Sequence, residues 1–229
     1  VNFLASVLAA GGINPLGGGL SMAWKKWTVA LLAALLVCGV SGTGKAWAAG
    51  VGFAFEGAGG DGEQEWETDP LEYDSSSSRA GFGFVFDTNV LGSGTFNYRM
   101  NIMLERQTFE IDDTDFETDL RGMSFEQDFG FGGNVTPNFR LWGGPSLRLS
   151  YHGGEDDLDY DYSVWGIGIG PVLGANIALN DRVALTGKVG VMMSSYGGTA
   201  ESPTGVDYDY DANDTSVFFN FGILFQTGR

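Results

Sequence analysis

Between Thr95 and Glu105 the chain reads Thr-Phe-Asn-Tyr-Arg-Met-Asn-Ile-Met-Leu-Glu, an alternation that restricts the fold more than any other stretch. Successive side chains of a strand point to opposite faces. Phe96, Tyr98, Met100, Ile102 and Leu104 therefore share one side, and Asn97, Arg99, Asn101 and Glu105 the other. A helix would mix the two sets. The run matches the roughly 9–11 tilted residues with which a β-strand crosses a bilayer, and runs of the same kind recur along the chain.

Alternating segments are read at 51–56, 79–87, 95–105, 122–131, 139–151, 165–176, 183–194 and 215–227. Between them lie polar stretches expected to be long loops, at 57–78, 110–119, 153–161 and 195–214. These alternate with short turns at 89–94, at 134–138 and at Asn180-Asp181. Pro145 and Pro171 fall inside strands, where the missing N–H leads us to expect bulges. Eight strands with alternating connections predict an all-β fold, an eight-stranded antiparallel up-and-down transmembrane β-barrel.

Alternation alone also suits a soluble barrel or sandwich; the make-up of the polar face decides. It is mostly Gly, Ser and Ala with a few charges, suited to the crowded inside of an eight-stranded barrel and unlike a solvated surface. The apolar face carries repeated aromatics, including Tyr98, Tyr151 and Trp165, as interfacial girdles do.

On the inward face fall Glu56, Arg99, Glu105, Glu126, Asp128, Arg140, Arg148 and Lys188. Unpaired charges there would be costly, so they are expected to form a lumen network of ion pairs and hydrogen bonds that plugs the barrel. A narrow, gated conductance is the other reading of the same residues.

The chain has 12 Lys and Arg against 29 Asp and Glu, which argues against nucleic-acid binding. The four expected long loops hold 23 of the 29 acids and no Lys or Arg. Asp207, Asp209 and Asp211 are the candidate metal ligands, since closely spaced carboxylates supply hard oxygens for Ca²⁺ or Mg²⁺. Such ions would let the loops contact outer-membrane lipids and lipopolysaccharide, whose phosphates would otherwise repel them. A solvated, self-repelling face is the alternative; no loop matches the twelve-residue EF-hand pattern.

At the start of the chain, residues 1–21 are uncharged and read as an over-extended start or a leader. Residues 22–48 have the form of a signal peptide: Lys25 and Lys26, an apolar run over 28–40, then Ala46-Trp47-Ala48. Cleavage there would remove Cys38, the one cysteine, and leave 49–229 as the barrel. Neither a phosphate-binding glycine loop nor a Cys/His zinc spacing occurs in 49–229, so no cofactor is expected.

The signal segment, eight alternating strands and Phe-rich last strand resemble the small outer-membrane barrels of the OmpA, OmpX and opacity-protein type. That resemblance implies a bacterial outer-membrane protein with its four acidic connections outside and both termini in the periplasm. It also implies the outer-membrane assembly machinery as a partner, although Gln226 to Arg229 follow Phe225 where the group's last strand commonly ends on an aromatic residue. The function implied is non-enzymatic, in membrane integrity, adhesion or surface shielding. The alternative is a lipid A-modifying deacylase or acyltransferase. His152, the one histidine, shares a face with Ser150 but lacks the His-x-Ser order of the deacylases.

Overall fold

The computed structural model describes residues 49–226 apart from 67, 68, 113, 115, 157 and 159, and gives only the backbone of 66 and 69–72. The expectations for residues 1–21 and 22–48, and for the last three residues, lie outside it.

Eight strands follow one another: β1 Gly50–Trp66, β2 Asp69–Asp87, β3 Phe96–Ile111, β4 Glu117–Thr136, β5 Phe139–Asp156, β6 Asp161–Ala178, β7 Val183–Glu201 and β8 Asp207–Gln226. Each pairs antiparallel with the next, and β1 closes on β8 from Gly50↔Gln226 to Trp66↔Tyr210, so the sheet has no free edge.

The wall is apolar on its outside. Phe55 and Phe219 each leave 64% of their surface exposed, and Phe84 61%, whereas Arg99, Glu126 and Asp128 on the inside are fully covered. Burial of this inverted kind is stable only where the outside medium is hydrocarbon. Cross-strand aromatic pairs stiffen the belt, with Phe53 and Phe84 at 5.0 Å between ring centroids and Phe96 and Phe131 at 5.5 Å. One polar residue faces outward within the belt. Gln127 is nevertheless 1% exposed, because Tyr98 lies over it and donates its hydroxyl to the amide oxygen at 3.0 Å.

The structure corrects the strand lengths. The stretches expected to be long loops are mostly strand, and only residues 67–68, 112–116, 157–160 and 202–206 separate the strands at that end. Strands of 16 to 20 residues, rising ~3.3 Å per residue at a tilt of about 40°, reach roughly 45 Å along the barrel axis. The apolar belt needs about 25 Å. Pairing persists beyond it because inward side chains there pack on one another: Phe109, Leu120, Tyr162, Val164, Tyr196, Ala200, Tyr210 and Ala212 form one buried cluster. Length matched to the bilayer finds the membrane part of each strand and misses this extension.

Neither proline makes a bulge. Pro145 pairs with Pro171 in an unbroken β5–β6 register, while pairing is interrupted on the far sides, between Asp128↔Ser146 and Phe131↔Gly143 and between Ile169↔Met193 and Val172↔Gly190. The two missing donors thus point away from each other, toward β4 and β7, and the register on both sides is kept. Register shifts occur instead next to turns, at Gln64/Trp66 and Asn134/Thr136.

Candidate functional site

The lumen is filled in layers. At the end holding the termini, the β2–β3 connection (residues 88–95) folds inward and closes the mouth. Val90 is fully buried among Ala54, Val85, Ala184 and Leu224. Asp87 anchors the entry, accepting from the Asn89 amide at 2.8 Å, Asn176 at 3.2 Å and Asn97 at 3.4 Å. Arg140 holds the exit, donating to the carbonyls of Gly92 at 2.9 Å, Gly94 at 2.8 Å and Thr95 at 3.3 Å. Its ligands are backbone oxygens, which the inward fold of this turn delivers. Alternation carries no sign of that fold.

Above this plug Trp142 crosses the lumen, 1% exposed, with Arg99 6.0 Å from the ring centroid. Space for the indole comes from Gly174 and Gly130, where a Cβ would lie 2.2 and 2.6 Å from ring atoms. Phe218, Met192 and Val172 complete the layer.

The ionic layer follows. Arg99 donates to Thr186 and, at 2.8 Å, to Asn220, and lies 4.0 Å from Asp128. Lys188 donates to Glu126 and, at 2.8 Å, to Asp128. Arg148 donates to Glu105 and, at 2.8 Å, to Glu56, and lies 3.7 Å from Glu126. Arg79, which alternation places inward but which was not singled out from the sequence, meets Glu56 at 3.3 Å. All are buried. Buried charges of this kind persist when each finds an opposite charge and hydrogen bonds, as here.

His152 belongs to this layer. Its Nε2 lies 2.7 Å from Glu105, and the Ser124 hydroxyl donates to the other Glu105 oxygen at 2.8 Å. Ser150 is beside it in the lumen, opposite Ser124. His152 is 1% exposed, with ion pairs on one side and the aromatic cluster on the other. A lipid chain in the bilayer has no approach to it.

Past the belt, Tyr210 donates to Gln64 at 3.0 Å, Gln107 to Tyr196 at 2.9 Å and Tyr162 to Asp156 at 2.9 Å. Burial pushes the Tyr210 phenol well above its usual range.

On the outside of this extension stand the acids. Asp207, Asp209 and Asp211 are exposed and alternate with inward Tyr208 and Tyr210. Successive outward positions on one strand lie about 6.6–7 Å apart, too far to converge on one ion, and among the described residues no group of three His, Cys, Asp or Glu is placed to hold a metal. The register creates a different arrangement. Asp119 pairs with Glu155, Glu155 with Asp161, Asp161 with Glu201 and Glu201 with Asp207, so one carboxylate stands on each of five adjacent strands along a single row of paired positions, which climbs with the strand tilt from Asp119 to Asp207. Reading strands singly from the sequence could not show this row.

No protein-family model matches the chain, and no curated protein does. Solved structures do. The outer membrane protein OprG from Pseudomonas aeruginosa superposes with a TM-score of 0.59 at 11% identity, over 81% of this chain and 98% of that one. Neisserial surface protein A matches at a TM-score of 0.32 and 14% identity, over 73% and 95% of the two chains. The translocator domain of the autotransporter NalP from Neisseria meningitidis matches at 0.28 and 12%, over 90% and 97%. The likeness to OprG establishes the fold, an eight-stranded barrel of the small outer-membrane type.

Proposed function

We propose that this protein is a non-enzymatic barrel of the bacterial outer membrane, with the acidic extension outside the cell and the termini in the periplasm, acting in membrane integrity and surface shielding. The observation that carries the reading is the row of carboxylates from Asp119 to Asp207. Like charges directly opposite one another destabilise a sheet. With its Asp119 end met by Arg106 and Arg121, the row is relieved from Glu155 to Asp207 where divalent cations sit between it and the phosphates of lipopolysaccharide, an ion-bridged contact in place of a chelating loop. A filled lumen and a sequestered His152 favour a structural role over transport or acyl chemistry.

A deletion strain is expected to become sensitive to chelators and to large hydrophobic antibiotics. Wild type should restore resistance, and a variant with Glu155, Asp161, Glu201 and Asp207 changed to Gln or Asn should not. Equal rescue by that variant would remove the cation bridge from the proposal. Lipid A acylation should be the same in all three strains; a change in acyl pattern reversed by wild type but not by His152→Ala would establish the enzymatic alternative. A single cysteine at Asp209 should react with an impermeant maleimide on intact cells and one at Asp181 should not. The opposite pattern would invert the orientation.

A further inference from the structure

Eight Lys and Arg lie among the described residues, and of these only Arg106 and Arg121 stand on the outer wall of a strand. They are directly opposite each other on β3 and β4, with side chains 57% and 78% exposed. Two guanidiniums in that position repel. The protein offsets part of this: Asp119 lies 2.6 Å from Arg106 and 3.8 Å from Arg121, and Glu117 3.9 Å from Arg106.

Their height in the barrel is fixed by register. One outward step toward the membrane the pairs are Leu104↔Met123, Met123↔Tyr151 and Tyr151↔Trp165, where the apolar belt ends in an aromatic couple with ring centroids 4.6 Å apart. Aromatic girdles mark the level of the headgroups. The arginines therefore lie where lipid phosphates lie. Their neighbours in the same row are small, Ala80 on β2 and Gly153 on β5. An open groove of about 310 Å³ runs beside Arg106, lined by Ser78, Arg79, Ala80 and Thr108.

We propose that Arg106 and Arg121 form a direct binding site for the phosphate of an outer-leaflet glycolipid of the lipid A class, with part of the sugar headgroup against the small-residue wall. Guanidinium forks suit phosphate oxygens, and a doubly charged phosphate can bridge both cations at short range, whereas Asp119 meets Arg121 only at 3.8 Å and Glu117 meets Arg106 only at 3.9 Å. The proposal rests on the outer-membrane placement above, but its test in detergent does not use orientation, so the maleimide labelling and this experiment fail independently. It adds one fixed, cation-independent contact below the carboxylate row.

The test titrates the detergent-folded protein with diphosphoryl lipid A in the presence of a chelator, read by native mass spectrometry. Dephosphorylated lipid A, phosphatidylglycerol and inorganic phosphate are the comparison probes. Binding of diphosphoryl lipid A is expected to weaken tenfold or more in Arg106→Gln/Arg121→Gln, and to tighten in Asp119→Asn, which removes the competing anion. The Asp119 variant separates a binding role from a structural one, since a mere surface ion pair predicts no gain. If the double variant does not fold, Arg121→Gln alone carries the loss arm. Unchanged affinity in the folded arginine variants, no tightening in Asp119→Asn, or equal binding of dephosphorylated lipid A, phosphatidylglycerol or inorganic phosphate would overturn the proposal.

Discussion

Arg148 holds the ionic layer together, since Glu56 and Glu105 both accept from it and Glu126 lies within 4 Å. Truncation to Ala leaves buried carboxylates short of a partner, a loss that costs roughly 3–5 kcal/mol in other proteins. Urea unfolding of the lipid-embedded barrel should register a loss of that order. Arg140→Gln should cost less, because its ligands are carbonyls that water can satisfy once the turn loosens. Gly174→Ala sets a methyl group against the Trp142 ring, and overpacking of this kind costs about 1–3 kcal/mol; pairing it with Trp142→Phe should recover part of the loss in the same assay. Which of these side chains point inward was legible from the alternation, because period two admits no other arrangement. Which charge meets which was not, since the partners lie on strands far apart in sequence and pairing is decided by register.

Among the elements, the turn over 88–95 departs most from what its sequence suggests. Asn89 to Gly94 reads as an ordinary tight connection. Burial of Val90 and capture of three carbonyls by Arg140 turn it into a stopper. Replacing these eight residues by Asn-Gly, which suits a two-residue hairpin, should open that mouth while leaving the ionic layer in place. Planar-bilayer recordings are expected to show no stable openings for wild type, and brief small ones for the shortened turn only when Arg148 is also neutralised. Strand identity was legible for the same reason that strand length was not: the apolar face ends where the bilayer does, and beyond it strand pairing is upheld by inward tyrosines within an acidic sequence that resembles loop. The paired prolines likewise gave a true signal of lost donors and a false one of bulges, because sequence does not show which neighbour each nitrogen would face.

For the whole molecule, the barrel has a membrane half held by charges inside and an extension held by aromatics inside. The halves should therefore respond differently to pH. Tyr210 has a folded pKa raised above its unfolded value of about 10, so its neutral form contributes stability that is intact below pH 10. That contribution falls as pH rises beyond it, since the unfolded phenol ionises first. Near-UV circular dichroism between pH 9 and 12 should show the extension loosening at a pH where far-UV signal from the membrane strands persists, and Tyr210→Phe should delay the change. The outward acids of the extension bear on how such a barrel reaches its place. With the extension outside the cell, as proposed above, every hairpin that carries them would have to traverse the hydrocarbon once, and each carboxylate left there would cost several kcal/mol. Passage therefore calls for a protected route, and the return is closed by the same charges when that route is gone. On that placement the acid rim would act like the barbs of a rivet, fixing the direction of insertion kinetically, whatever equilibrium stability the finished barrel has.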